Sequence, residues 1–414
     1  MSKFDQQTLS LRDVESLHRI KVSKLLSLLE HHPYRKSIET KFQTNEIAEE
    51  YILIDHVDTV YTRIAQVIGS FNRFNIKAQI KDISLVEHRV DVEGVSGTPV
   101  KFVFDEYQDD AGNELNDLHA FAIHDAKNAF LGQYDMTKYA NRLYKDQHFE
   151  LVRYNVEHFK NLASQSKKKN KLRSYRLLEH AGEVFVRGIT SVEQYNEYGV
   201  DFAFVTAMLL FHSLIKDRPG DAYAISSAAI SASKLELIVV DKQMKEAKGF
   251  GKVSSSTIIS TNDLGDASFK FLNIVKVGIR DSRGFYLFPD AKHDYKNELK
   301  ITHNTKVDNA LSSVIDAKAI LRSSEEFIEE LESVKMISKP DELRARILFK
   351  VENRNSAFRK IKNVRDLFKP TIVNNLDNFS KLLEMCRKAE ELDIDYDLKD
   401  KLRYIVSDII LNKR

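Results

Sequence analysis

Two basic segments contain the side chains most able to bind a charged ligand. Residues 138 to 187 hold twelve lysines and arginines against five acids, with four tyrosines interleaved, and residues 350 to 369 hold seven cations against two acids. Such cations neutralise nucleic-acid phosphates, and aromatic rings stack on unpaired bases. The two segments predict nucleic-acid contacts from the following residues: Lys167, Lys168, Lys169, Lys171, Arg173, Arg176, Arg187, Arg359, Lys360, Lys362 and Arg365.

The same segments have a structural interpretation. Charge runs are commonly solvated helix faces, and the tyrosines can belong to the core. Acidic stretches over 325–332 and 390–400 can also pair with the basic segments between subunits. The nucleic-acid hypothesis therefore requires that the cations gather on one face of the folded protein.

The run from Arg187 to Ser191 is a second candidate for anion binding. Arg187, Thr190 and Ser191 offer a guanidinium and two hydroxyls, which are donors suited to a phosphate. In the alternative interpretation, Thr190 or Ser191 is a helix N-cap and Glu193 or Gln194 completes a capping box. The two interpretations are compatible, because an exposed helix N-terminus attracts anions.

The segment Thr261 to Asp266 joins two predicted strands. Asparagine, aspartate and glycine tolerate the positive φ of tight turns, so the composition favours a structural turn. In the alternative, backbone amides and Asn262 hold a phosphate or a base edge.

The sequence lacks the motifs of common catalytic sites. It has no nucleophile elbow, no Walker phosphate loop and no dinucleotide fingerprint. Cys386, the single cysteine, has no nearby base, and His293 and His303 are ten residues apart, unlike zinc ligands. The sequence therefore leans against an enzyme without deciding the question, and it predicts no cofactor and no metal. One alternative stays open, because carboxylates clustered over 105–117 can bind a divalent cation.

The composition is that of a folded protein, with 43% hydrophobic residues, 30% charged residues and a net charge of +2 over 414 residues. The lone cysteine and the polar N-terminus predict a cytoplasmic protein, in the host cytoplasm if a phage encodes it. The most apolar run, Val200 to Ile215, is shorter than the ~20 residues of a bilayer span. It therefore predicts a buried helix and no membrane partner.

Hydrophobic periodicity predicts an α+β fold. An amphipathic helix is expected over 7–32, followed by a small α+β unit over 51–104. A central mixed β region with a buried helix over 201–216 comes next. From residue 307 the pattern is helical, with Pro340 suited to a first helical turn.

A polar linker over 164–173 predicts the first domain boundary. The expected division is an N-terminal α+β domain with a leading amphipathic helix over 1–165, a central mixed α/β domain over 174–306 and a helical C-terminal region over 307–414. Residues 105–117 and 242–256 are expected to be loops, the first acidic and solvated and the second mobile.

Three central segments resemble a family of phage/plasmid-like proteins, catalogued as domain of unknown function nine-three-two. The segments are Tyr175-Arg176-Leu177-Leu178 with Val186-Arg187-Gly188-Ile189-Thr190-Ser191 and Tyr195, then Ile258-Ile259-Ser260-Thr261-Asn262-Asp263-Leu264-Gly265-Asp266-Ala267-Ser268, and then Ile301-Thr302-His303. The resemblance covers roughly residues 170 to 320. It implies a mobile-element context and no settled activity.

These observations lead to one functional hypothesis with an alternative. The hypothesis is a phage or mobile-element protein that binds nucleic acid through its basic helical segments, in DNA replication or recombination. The alternative is a self-assembling structural or interaction protein without catalytic activity. A homo-oligomer is expected in either case, and the alternative predicts the helical N-terminal segment and the long C-terminal helices as its contacts.

Overall fold

The described residues form two large β-sheets and one two-stranded sheet, with helices packed against them, which confirms the predicted α+β class. The computed structural model describes residues 4–9, 11, 17–87, 92, 99–164, 170–265, 268–278, 284–288, 297–322, 327–329, 331, 339–370, 376–394 and 396–411.

The longest helix of the described residues is the apolar helix at Gly199–Asp217. The helices are α1 Val22–Leu26, α2 Arg35–Phe42, α3 Val57–Gly69, α4 Ala126–Gly132, α5 Thr137–Lys145, α6 Phe149–Ser164, α7 Gly199–Asp217, α8 Val307–Arg322, α9 Pro340–Glu352, α10 Lys362–Phe368, α11 Phe379–Glu390 and α12 Tyr396–Ile410.

The strands are longest in the centre of the chain. They are β1 Gln7–Leu9, β2 Ile20–Lys21, β3 Tyr51–Ile52, β4 Ile54–Asp55, β5 Asn72–Gln79, β6 Ile83–Glu87, β7 Val100–Gln108, β8 Glu114–Ala122, β9 Leu172–His180, β10 Glu183–Ser191, β11 Tyr223–Ile230, β12 Lys234–Asp241, β13 Lys245–Ala247, β14 Gly251–Asn262, β15 Phe269–Gly278, β16 Gly284–Leu287 and β17 Glu298–Ile301.

The large sheet has the strand order β1-β11-β12-β14-β15-β16, with β4, β13 and β17 paired at its sides. Both of its faces are covered. In β15, Phe269 and Phe271 pack into the cluster that contains α7, whereas Leu272 and Ile274 belong to a second apolar cluster. Successive side chains of a strand point to opposite faces, so one strand contributes to two cores.

Helix α7 is buried because it is apolar on all sides. Phe202, Met208 and Phe211 lie against the large sheet, and α3 and α8 enclose the same cluster. The predicted buried helix over 201–216 is therefore confirmed. This helix is long and apolar enough to cross a membrane, but 83% of its apolar window is buried inside the fold, which makes it weak evidence for a span.

The C-terminal helices form a separate core against one end of the large sheet. Val277 and Leu287 of the sheet pack among apolar residues of α9 to α12. Arg403 of α12 is buried and pairs with Glu390 of α11 at 2.8 Å and with Glu236 of β12 at 3.4 Å. As predicted, Pro340 occupies the first turn of α9.

The small sheet has the order β5-β9-β10-β8-β7-β6, and one further pairing, Lys77 with Gln108, joins β5 to β7. Its core face packs on α4, α5 and α6. Strand β9 pairs along its length with β5 and β10. Because β5 precedes the predicted boundary near 165–174 and β9 follows it, that boundary falls inside a single sheet.

The predicted continuous helix over 7–32 is wrong among the described residues. Residues 7–9 form β1 and pair with β11, and residues 20–21 pair with β3. Helix is confined to α1 and a 3₁₀ turn at Ser27–Leu29. The apolar spacing was a burial signal, but hydrogen bonding to distant strands decided the backbone conformation.

Two predicted loops are largely strands. Strand β7 continues to Gln108 and β8 starts at Glu114, so the acidic region is a hairpin in which only 109–113 form the turn. After this hairpin, helix begins at Ala126. In the second predicted loop, β13 pairs with the first residues of β14. Charged residues in these strands obscured the alternation.

We expect Phe4→Ala to lower the free energy of unfolding by about 3–5 kcal/mol, the usual loss for a buried phenylalanine. Phe4 is 1% exposed, and its ring lies 4.6 Å from that of Phe185 and 5.8 Å from that of Phe71. Ala232 of the large-sheet side belongs to the same cluster. Urea denaturation measures the change.

Phe349→Ala is the matched control, because Phe349 is 70% exposed. Its effect should stay within about 0.5 kcal/mol. Equal losses in the two variants would contradict the role of Phe4 as a wedge between the sheets.

Candidate functional site

A polar cleft of about 910 Å³ lies against one face of the small sheet. Its walls come from β5, β9 and β10, from the segment between Ser27 and Tyr34, from α3 and from the first residues of α7. Among the lining side chains are three arginines, Arg73, Arg176 and Arg187. Neighbouring strands thus bring together cations from distant parts of the chain.

Strand alternation explains why this face is polar. In β5, Ile76 and Ala78 are buried in the core, whereas Arg73, Asn75 and Lys77 line the cleft. Residues two apart in a strand share a face.

The register of the small sheet extends the polar face across three strands. Asn75 pairs with Arg176 and Arg176 with Gly188; Ser174 lies between Lys77 and Thr190. Two rows of neighbouring residues therefore cross the three strands on this face, Asn75-Arg176-Gly188 and Lys77-Ser174-Thr190. An irregularity in β10 between Val186 and Gly188 also brings Arg187 to the cleft, although Val186 packs in the core.

Glu197 is the acceptor at the centre of the arginines. Its carboxylate accepts from Arg187 Nη2, and its oxygens lie 3.3 Å from Arg176 Nη1 and 3.4 Å from Asn75 Nδ2. Burial by itself raises the pKa of Glu197, but the charges of Arg187, Arg176 and Arg73 lower it to about 2. Glu197 is therefore ionised across the physiological range.

Arg73 has its own carboxylate partner. Its Nη2 lies 3.0 Å from Oδ2 of Asp201, which belongs to the first turn of α7. Burial lowers the pKa of Arg73, but Asp201 and Glu197 outweigh this effect and raise it. The pair joins the small sheet to the N-terminus of the buried helix.

The turn after β14 packs directly on β10. Asn262 Oδ1 accepts from the Leu264 amide at 2.9 Å, and Gly265 has φ of +101°. A Cβ on Gly188 would lie 2.9 Å from the Leu264 carbonyl oxygen, so a side chain there would collide with the turn. The structural interpretation of this segment as a tight turn is confirmed.

The turn also positions Arg176, whose Nη1 donates to the Asp263 carbonyl oxygen at 3.1 Å. The Arg176 guanidinium lies over the Tyr195 ring, 4.0 Å from its centroid, and His303 stacks on the same ring at 4.5 Å. Burial raises the pKa of Tyr195 and that of the Asp263 carboxyl. The Tyr195 ring, in contact with Arg176 and His303, thus forms part of the cleft wall.

Four residues that line the cleft have a buried polar atom without a hydrogen-bond partner in the described structure: Asn75 Oδ1, Arg187 Nε, Tyr195 Oη and Asp201 Oδ1. Leaving such groups unsatisfied costs about 1–3 kcal/mol each. Donors and acceptors are therefore both available for a polar ligand.

The predicted nucleic-acid residues do not form one face. Arg176 and Arg187 lie together but are buried and ion-paired. Arg173 is half-buried. It lies two positions from the core residue Tyr175, so it shares the core face of β9 and not the cleft face that carries Arg176. The others fall in separate places: Lys171 is exposed before β9, Arg359, Lys360, Lys362 and Arg365 lie in or before α10, and Lys167, Lys168 and Lys169 are outside the described residues.

The interleaved tyrosines divide between surface and core. Tyr139 and Tyr154 are exposed, whereas Tyr144 and Tyr175 are buried in the core. Thr190 and Ser191 end a strand, and α7 begins at Gly199, so the predicted N-cap and capping box are wrong. All three donors singled out between 187 and 191 line the cleft.

The sequence interpretation missed Arg73, Glu197 and Asp201. A signal for the first was present, because Arg73, Asn75 and Lys77 alternate with Phe74, Ile76 and Ala78 in the sequence. The two carboxylates gave no signal, because their roles depend on contacts made in the fold. Asp201 pairs with Arg73, more than a hundred residues away, and Glu197 pairs with Arg187 of β10.

The other candidate chemistry is not assembled among the described residues. No group of three metal-ligating side chains occurs in that part of the chain. In the acidic hairpin, Asp109 accepts from Asn113, which lowers the pKa of Asp109. Cys386 is buried, and burial together with Glu390 raises the pKa of its thiol.

Comparison with protein-family models, with curated proteins and with solved structures found no match for this chain.

We expect Glu197→Gln to destabilise the protein by roughly 3 kcal/mol at pH 7, because buried guanidinium charges lose their acceptor. The lowered pKa of Glu197 gives stability that is present above the unfolded value of about 4.3 and is lost as pH falls towards 2. The difference between the variant and the wild type should therefore shrink below pH 4. Urea denaturation at pH 7, 4 and 3 measures it.

Glu193→Gln is the control, because Glu193 is exposed nearby. A Glu197→Gln effect that stayed constant down to pH 3 would contradict an ionised Glu197.

Proposed function

We propose that this protein binds a nucleoside phosphate, as a free nucleotide or as a short stretch of single-stranded nucleic acid, in the polar cleft. The observation on which the proposal rests is the arrangement of Arg73, Arg176 and Arg187 on the cleft wall. Guanidinium groups present forked donors that match phosphate oxygens. This assigns the nucleic-acid contact to the cleft and not to the basic helices.

The charge balance of the buried cluster favours an anion. Three guanidinium groups face two carboxylates, those of Glu197 and Asp201. The raised pKa of Asp263 shifts that carboxyl towards its neutral form. Lys77, which also lines the cleft, adds a cation, while Glu30 and Asp110 lie along the same opening. Positive charges therefore outnumber negative charges on the wall formed by the three arginines, whereas acids also lie along the opening of the cleft.

The lining also suits a base or sugar. Tyr61, Phe71 and Phe74 line the cleft, and aromatic rings offer stacking surfaces to any base. Asn75 provides amide groups of the kind that hydrogen-bond to base edges. A volume of about 910 Å³ is in the range of small-molecule sites, which run to roughly 1,000 Å³.

The proposed context is a phage or another mobile element. The three segments on which the family resemblance rests meet at this site: Arg176 and Tyr195 from the first, Asn262 from the second and His303 from the third. Their convergence supports a shared functional reason for the three motifs.

We expect Lys77→Gln to weaken binding of a labelled oligothymidylate by about tenfold, the loss typical of a hydrogen bond to a charged group. The slope of the logarithm of the affinity against the logarithm of the salt concentration should also fall by about one, because one phosphate contact is lost. Lys77 lies at the cleft and outside the buried ion pairs, so the variant should fold. Fluorescence anisotropy over a salt series measures both effects.

Lys300→Gln is the matched control, because Lys300 is exposed on β17 of the large sheet. Competition by thymidine monophosphate separates the two ligand sources: displacement of the oligomer identifies a nucleotide site, and retention identifies a strand site. Failure of the wild type to bind either probe, or equal affinities for the two variants, rejects the proposal.

A further inference from the structure

His303 lies between two backbone carbonyl groups. It follows β17 and is 5% exposed. Its Nδ1 is 2.9 Å from the Asn196 carbonyl oxygen, and its Nε2 is 3.0 Å from the Asn262 carbonyl oxygen. Both ring nitrogens therefore face an acceptor that has no proton to donate.

A neutral imidazole cannot satisfy this geometry. It has one N–H and one nitrogen lone pair, so one ring nitrogen would meet a carbonyl oxygen with lone pair against lone pair. An imidazolium donates from both nitrogens. We infer that His303 is doubly protonated in the folded protein and that, as a buried cation, it positions the residues behind the cleft.

The surroundings of His303 suit a buried cation. The Tyr195 ring is stacked on it, with centroids 4.5 Å apart and an angle of 7°, and the Tyr198 ring lies at 5.4 Å. Aromatic faces attract cations. On the side of the β14 turn, Asp263 places a carboxyl oxygen 3.8 Å from Nδ1.

The guanidinium groups near His303 have a carboxylate partner of their own. Glu197 forms ion pairs with Arg176 and Arg187, and the Tyr195 ring contacts both the Arg176 guanidinium and the His303 ring. The Glu197 carboxylate thus compensates the charges of both arginines.

The two carbonyl groups that His303 contacts belong to the segments that determine where Arg176 lies. Asn196 immediately precedes Glu197, and its amide nitrogen donates to the His303 carbonyl oxygen at 2.6 Å. Asn262 immediately precedes Asp263, whose carbonyl oxygen holds Arg176. His303 thereby ties the Glu197 segment to the β14 turn, and both determine where the Arg176 guanidinium lies.

His32 provides an internal comparison for the protonation state. Its Nε2 is 2.9 Å from the Tyr198 carbonyl oxygen, but its Nδ1 lies 3.2 Å from the Tyr34 backbone N–H and accepts from it. These two contacts fit a ring whose single N–H is on Nε2. Two buried or half-buried histidines of one chain thus have opposite expected states.

The decisive experiment is nitrogen–proton NMR of the full chain with labelled histidine at pH 7.5. We expect protons on both ring nitrogens of His303 and on Nε2 alone for His32. Spectra of His303→Gln and His32→Gln assign the two signals. A single protonated nitrogen on His303 overturns the inference.

The positioning role rests on the proposed function and has a separate test. His303→Gln keeps a donor and an acceptor but no charge, and it should weaken oligothymidylate binding by about tenfold, whereas exposed His148→Gln should leave it unchanged. Unchanged binding by His303→Gln overturns the positioning role. A wild-type protein that binds no probe rejects the proposed function, while two protonated nitrogens on His303 would still support the charged state.

Discussion

The Glu197 carboxylate is the contact on which the arrangement of the two sheets at the cleft depends. It compensates Arg187, which is 1% exposed, and Arg176 at the same point. Moving an ion out of water costs several kcal/mol even after relaxation, so such groups remain buried only with good partners. Each arginine accordingly has another acceptor, Ser233 Oγ for Arg187 and the Asp263 carbonyl oxygen for Arg176. Those acceptors belong to the large-sheet strands and turns, so the ion cluster also holds the two sheets together.

This constraint explains the contrast between the two faces of the small sheet. One face buries mainly aromatic and aliphatic side chains under α4 to α6. The opposite face has to place arginines next to the large sheet, and apolar packing cannot satisfy their donors. The result is a wall of paired charges with a cleft beside it, in which several polar atoms keep bonding capacity for a ligand.

Local pattern was enough for elements whose conformation and burial agree. The all-apolar composition of α7 predicted a buried helix, and the pattern over 51–104 predicted a small α+β unit, where the structure has α3 among strands β3 to β7. Local pattern failed where the backbone forms hydrogen bonds with a distant strand. Residues 7–9 have helical spacing in the sequence but pair with β11, which lies more than two hundred residues away. The strand ends around the acidic hairpin were missed for a different reason, because charged residues at exposed positions hide the alternation.

The sequence by itself determined the α+β class, the buried central helix and the turn after β14. Only the tertiary structure decided that Arg73, Arg176 and Arg187 share a cleft, that the basic helical segments do not share a face, and that His303 joins the residues behind the cleft. The physical reason is that ion pairs and hydrogen bonds depend on distance in space. Glu197 lies ten residues from Arg187, but Arg73 and Asp201 are 128 residues apart in the chain and in contact in the fold.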